Sequence, residues 1–264
     1  METRRIPFLT AVELRRELVP SFEAYPFNLP AIRRLDRLPL HPSVTFLVGE
    51  NGTGKSTLLE GIAVALGINP EGGSIQMHFS TKPTHSALGD AIGLHRTGRH
   101  MRDGWFLRAE SLYNVATEID RLNQESGGML GSYGGKSLHQ QSHGESFFAL
   151  FRHRFGGGGV YLLDEPEAAL SPMRQLGFLS MLHDLVRDGA QFIIATHSPM
   201  IITYPESWTY LLENERIELV PYAKTEHFRV AQSFLANPDR SLRVLLDRSD
   251  QEDGQEERGK RYRT

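Results

Sequence analysis

Apolar positions along this chain fall into short unbroken runs, separated by turn residues and by stretches with helical spacing. Val44-Thr45-Phe46-Leu47-Val48 is continuously apolar and rich in β-branched residues, the pattern of a strand buried on both faces. Residues 57–66 (TLLEGIAVAL) then carry the apolar spacing of a buried helix. The pairing recurs downstream: Val160-Tyr161-Leu162-Leu163 predicts a strand, 171–187 a helix, and 191–196 (QFIIAT) a further strand. Between these blocks, 74–80 and 105–110 predict strands. Residues 111–122 predict a helix with Ser111 as its N-cap, and another helix starts near Gly144 and runs through Phe151. Prolines 7, 20, 26, 30 and 39 mark residues 1–40 as edge strands and loops, and 81–104 shows no clear period. After two strands at 207–212 and 217–220 come helices, and from Arg248 onward the polar, charged sequence predicts a disordered tail. Strands alternating with helices predict an α/β domain with a mixed, mainly parallel sheet.

Composition narrows the class. The chain has 264 residues, 39% of them hydrophobic, which suits one α/β domain with an inserted subdomain. The expected organisation is one domain over 1–247, with a helical subdomain over roughly 81–155, then the tail at 248–264. A net charge of -3 gives no global attraction to nucleic acid or anionic lipid. With no cysteine there is neither a disulfide framework nor a thiolate metal site. No run approaches the ~18 apolar residues of a membrane span, and the N-terminus lacks a signal-peptide core. A cytoplasmic protein without membrane insertion is the expectation.

The candidate chemistry begins directly after the first buried strand. Gly49-Glu50-Asn51-Gly52-Thr53-Gly54-Lys55-Ser56-Thr57 fits the phosphate-binding pattern G-x-x-x-x-G-K-[ST] without a mismatch. Small residues let the backbone curl and aim N–H groups at an anion, and the following helix N-terminus adds partial positive charge. Lys55 is placed to reach the β/γ-phosphates, and the Ser56 hydroxyl to ligate Mg²⁺. Asp164-Glu165 ends a second buried strand, the sheet edge at which α/β proteins bind ligands. Asp164 suits Mg²⁺, and Glu165 suits polarisation of an attacking water. Ala195-Thr196-His197-Ser198-Pro199 ends a third strand. His197 lies 32 positions beyond Glu165 with one helix between, so neighbouring strands deliver the two.

The order of phosphate loop, Asp-Glu and Thr-His resembles the ATP-binding cassette (ABC) superfamily of ATPases. That family opens a helix with a Leu-Ser-Gly-Gly-Gln signature, and Gln141-Ser142-His143-Gly144-Glu145 occupies that place here, 22 positions before Asp164. Ser142 and Gly144 match; Glu145 replaces Gln as in the SMC branch, His143 stands for the first Gly and Gln141 for Leu. Asp164-Glu165-Pro166-Glu167, the Leu170-Ser171-Pro172 turn and Thr196-His197-Ser198-Pro199 are similar to the soluble RecF-, SMC- and OLD-like branch. Only 85 positions separate Thr57 from Ser142, and they lack sustained heptads, so the resemblance is to compact AAA-family ATPases without a coiled-coil arm. It implies two ATP–Mg²⁺ sandwiched in a homodimer, each phosphate loop facing the partner's Ser142 loop, with Lys55, Glu165 and His197 around the γ-phosphate. DNA repair and phage defence are roles such engines serve.

The family's Gln, coupling Mg²⁺ to the helical subdomain, is matched in place by Glu110; Gln76 is the literal Gln but comes only 21 positions after Lys55. Tyr25 and Phe27 are the adenine-stacking candidates, with a core role the alternative for each. His95, Arg96, Arg99, His100, Arg102 and Arg108, beside Trp105 and Phe106, form a basic stretch that could grip a nucleic-acid backbone or simply face solvent. A DNA or protein partner therefore stays open. The competing readings are the ATPase subunit of an ABC transporter and a low-turnover nucleotide switch.

Overall fold

The computed structural model describes residues 5–75, 77, 87–108, 111–213 and 216–246. These separate into a compact unit ending at Tyr222 and a second beginning at Ala223. In the first unit, a small antiparallel sheet holds β1 (Leu9–Leu14), β2 (Arg37–Pro39) and β5 (Ile92–Arg96) in the order β2-β1-β5. The main sheet has seven strands: β3 (Val44–Val48), β4 (Gly73–Ser74), β6 (Asp103–Arg108), β7 (Gly159–Asp164), β8 (Gln191–Ala195), β9 (Ser207–Glu213) and β10 (Arg216–Val220). Their order is β10-β9-β3-β8-β7-β6-β4, parallel from β9 to β6 with an antiparallel strand at each edge.

Every residue of β3, β7 and β8 is buried, which is why those stretches are unbroken apolar runs. The expected adjacency of β7 and β8 holds, with Asp164 level with Ala195. Short helices α1 (Pro30–Arg33) and α3 (Leu88–Ala91) flank α2 (Lys55–Leu66), which buries Leu58, Leu59, Ile62, Ala63 and Leu66. Further helices are α4 (Leu112–Ser126), α5 (His143–Arg154) and α6 (Pro172–Arg187). The second unit holds α7 (Glu226–Ala236), with Val230, Phe234 and Leu235 exposed, followed by helical residues 238–246.

Two devices tie the surrounding layers to the main sheet near the start of β8. Gln191 is a buried amide whose Oε1 accepts from the backbone of Phe8 and Leu9. Its Nε2 donates to the carbonyls of Leu9 and His41, which ties the small sheet to the start of β8. On the other side, α5 and α6 meet the sheet through aromatic rings. Phe151 lies 5.2 Å from Phe147, 4.5 Å from Phe155, 5.0 Å from Phe178 and 6.1 Å from Phe192, centroid to centroid. Phe151→Ala is expected to destabilise the domain by about 3–5 kcal/mol, because it removes a buried ring packed against four others. Urea unfolding followed by circular dichroism measures it.

Several sequence-based expectations change here. The strand expected over 74–80 is present only as Gly73–Ser74 among the described residues. Residues 92–96, within a stretch expected to be irregular, form β5. Ser111 precedes α4, but its side chain makes no capping hydrogen bond; its buried Oγ packs where a Cβ on Gly72 would lie 2.8 Å away. Residues 248–264, expected to form a tail, lie outside the described residues.

Candidate nucleotide site

The turn from β3 into α2 places the predicted phosphate loop at the carboxyl edge of the main sheet. Gly49 opens it in close contact with β9: a Cβ there would sit 2.3 Å from the Leu212 carbonyl oxygen, so only glycine fits. Gly54, at φ +97°, turns the chain into the helix. Lys55 is buried, and its Nζ donates to the carbonyls of Gly49 at 2.7 Å and Glu50 at 2.8 Å, so the ammonium sits inside the loop. Burial lowers the Lys55 pKa, while Glu165, Asp164 and Glu167 act in the opposite direction. Thr53 closes the loop by donating its hydroxyl to the Glu50 carbonyl.

Ser56 and Asp164, 108 positions apart, meet directly: the Ser56 hydroxyl donates to Asp164 Oδ1 at 2.9 Å. A hydroxyl and a buried carboxylate at that distance, beside a loop built for phosphates, form an oxygen donor set that fits Mg²⁺. Glu165 follows with φ +50° and ψ +54°, a left-handed conformation costly for a residue with a Cβ. It is held there by its N–H donating to Ala195 O at 2.9 Å, and by Ala168 N–H donating to its own carbonyl at 3.1 Å. This bend brings Glu165 Oε1 to 3.5 Å from His197 Nε2. Burial, then the Lys55 ammonium, lowers the His197 pKa, while Glu165 acts in the opposite direction.

Sequence reasoning left Glu167 without a role, yet it fastens the two strand ends together. Its carboxylate accepts from Thr196 Oγ1 at 2.7 Å and from the His197 N–H at 2.5 Å. Burial is the larger influence and raises its pKa against those two hydrogen bonds. A chain of contacts continues through Ser198, whose hydroxyl donates to Gln175 Oε1 at 2.6 Å, and whose N–H donates to Thr196 Oγ1 at 3.0 Å. The signal in the sequence was its place in the Asp164-Glu165-Pro166-Glu167 run, two residues beyond Glu165.

The structure thus gathers Lys55, Ser56, Asp164, Glu165 and His197 at one edge. Ser142 and Gly144 are held elsewhere in the contact network. Ser142 N-caps α5, donating its N–H (2.9 Å) and its hydroxyl (2.7 Å) to Glu145 Oε2, and these bonds hold the Glu145 pKa down. Gly144 lies against the start of α6: a Cβ there would meet Arg174 Nη1 at 2.1 Å and Ala169 O at 3.0 Å. The signature-like loop is therefore seated on the turn that follows Asp164-Glu165. Glu110 and Gln76 both lie outside the described residues.

Of the two adenine candidates, Phe27 is core, whereas Tyr25 is 68% exposed with its hydroxyl 3.4 Å from Thr57 Oγ1. The basic stretch is divided among separate contacts. His95 pairs with Glu13 at 2.6 Å. Arg99 stacks over Phe8 and donates to the carbonyls of Ile6 and Gly157, and Arg108 lies beside Asp164.

In the main sheet one strand, β8, stands between the phosphate-loop strand and the Asp-Glu strand, and it carries His197 to their common edge. This is a P-loop α/β fold with a mixed, mainly parallel sheet. The family described as an AAA domain matches residues 27–93, the segment that contains the loop. No curated protein matches the chain. Solved structures with similar folds include one described as a metal-chelate type ABC transporter in an inward-facing conformation, at 19% identity and TM-score 0.44, covering 75% of this chain and 80% of that one. The SMC head domain from Thermotoga maritima is 16% identical with TM-score 0.43, covering 81% of this chain and 98% of that one. A protein described as a cobalt transport ATP-binding protein is 14% identical with TM-score 0.38, over 82% of this chain and 80% of that one. In its motifs the chain resembles P-loop ATPases of the RecF/SMC-like kind. Among its described residues no helix is long and apolar enough to cross a membrane.

Proposed function

We propose that this chain binds ATP with Mg²⁺ and hydrolyses it to ADP and phosphate at a composite site formed by two copies. The observation that carries the reading is the Ser56–Asp164 hydrogen bond, with Lys55 in the loop beside it and Glu165 against His197. Ser56 and Asp164 would hold Mg²⁺, which would neutralise charge on the β- and γ-phosphates when bound. Lys55 exchanges its two carbonyl partners for phosphate oxygens. Glu165 orients the attacking water, and His197, fastened by Glu167, donates a hydrogen bond toward the γ-phosphate. Ser142 would complete the partner's site once its N–H and hydroxyl leave Glu145 for phosphate oxygens at the α5 N-terminus.

Because each site takes groups from two copies, ATP occupancy and dimerisation are linked. The test is steady-state ATPase activity against protein concentration. Turnover per subunit that rises with concentration and then saturates is expected; a constant value would remove the partner's Ser142 loop from the reaction. Tyr25 is assigned to the adenine. Base–aromatic stacking is worth about 1–3 kcal/mol, so Tyr25→Ala should weaken ATP binding roughly tenfold and leave triphosphate affinity unchanged in a competition titration. A cytoplasmic role in DNA repair or phage defence rests on the RecF-, SMC- and OLD-like motif set alone; capture with a hydrolysis-blocked variant, scoring nucleic acid and protein separately, tests it.

A further inference from the structure

Arg108 and Glu60 belong to none of the motifs, yet they flank the Asp164 carboxylate. Arg108 ends β6, level with Asp164 in the parallel register with β7. Its Nε lies 3.4 Å from Asp164 Oδ2, and its Nη1 lies 3.4 Å from Glu60 Oε2. Glu60 stands one helical turn beyond Ser56 on α2, so the two share a face. Asp164 therefore meets a hydroxyl donor on one oxygen and a guanidinium on the other, while the same guanidinium reaches a second acid. All three charged side chains are largely buried, with Arg108 24%, Glu60 21% and Asp164 7% exposed. Both ion-pair distances exceed the ~2.7–2.9 Å of a tight charge-assisted bond, so the guanidinium is shared and locked to neither acid.

We propose that Arg108 is a positioning residue that acts as the internal counter-ion of the metal site, neutralising Asp164 in the empty protein and transferring to Glu60 when Asp164 ligates Mg²⁺. This inference rests on the Mg²⁺–ATP reading of the site. A buried carboxylate without a cation is costly, so an empty site needs a substitute for the metal. A metal on the Ser56 side of the carboxylate and a guanidinium on its other oxygen repel each other and divide one negative charge, so metal binding loosens the guanidinium from Asp164 Oδ2, and Glu60 is already within reach to receive it. Arg108 therefore competes with Mg²⁺ for Asp164, and Glu60 sets how easily it gives way.

The readout is the ratio of ATP dissociation constants without and with Mg²⁺, measured with a fluorescent ATP analogue, which reports coupling between metal and nucleotide and requires no turnover. Arg108→Gln should raise this ratio about fivefold or more, and Glu60→Gln should lower it by a similar factor, the usual range for a coupling of this kind. Arg108→Lys, which keeps the charge, should stay near wild type and guards against loss of the fold. Ratios that move in the same direction in Arg108→Gln and Glu60→Gln, or in neither, overturn the inference while wild-type Mg²⁺–ATP binding stands. A wild-type protein that binds no ATP overturns the reading of the site and this inference with it.

Discussion

Glu165→Gln is expected to bind ATP with near wild-type affinity, lose turnover by about 10²–10⁴-fold and accumulate as an ATP-dependent dimer. The carboxylate is the group placed to take a proton from water, and the amide keeps its size without the basicity. The surrounding geometry should survive, because the left-handed backbone at Glu165 is fixed through main-chain bonds to Ala195 and Ala168. Its contact with His197, at 3.5 Å, is one that an amide oxygen can still accept. Size-exclusion chromatography with and without Mg²⁺–ATP, alongside phosphate release, reads both effects. Unchanged turnover would remove Glu165 from the proton-transfer role, and blocked turnover without dimer would separate hydrolysis from association.

The parts of this site that were legible in the sequence are those whose local pattern and chemistry coincide. β3, β7 and β8 are buried on both faces, so each reads as an apolar run, and the residues that end them inherit a position at the sheet edge. The start of α5 was legible near Gly144, and the structure shows what fixes it, a capping box between Ser142 and Glu145. What was not legible depends on distant pairing. β5 lies against β1, some 80 positions earlier, and its outer residues are only half-buried, so no local period announces it. Arg108 looked like part of a basic stretch, because nothing nearby in sequence says that its neighbour across the sheet is Asp164. Glu167 looked like one more acid after Asp-Glu, although its partners Thr196 and His197 lie about 30 positions on. Both are charged side chains whose environment is set by register between strands, the information a one-dimensional pattern does not contain.

Lys55→Met should weaken ATP binding by about 10–100-fold, the loss expected when a charge-assisted hydrogen bond worth roughly 1.5–3 kcal/mol is removed. Part of the effect lies in the empty loop. There the ammonium satisfies the carbonyls of Gly49 and Glu50, and methionine fills the volume but donates nothing to them. The loop should therefore become less ordered before any ligand arrives, and ATP must supply that ordering as well as lose its cation. Lys55→Arg separates the two contributions. It restores the charge, but a planar guanidinium is larger than the buried space the ammonium occupies between two carbonyls 2.7 and 2.8 Å away. If electrostatics dominated, Arg would recover most of the affinity; because the site is built around a compact cation, it should recover little. Equilibrium titration of the two variants with the fluorescent analogue, paired with thermal unfolding in the absence of nucleotide, distinguishes these outcomes. Wild-type affinity in Lys55→Met would place the phosphates outside the loop and end the assignment of this edge as the nucleotide site.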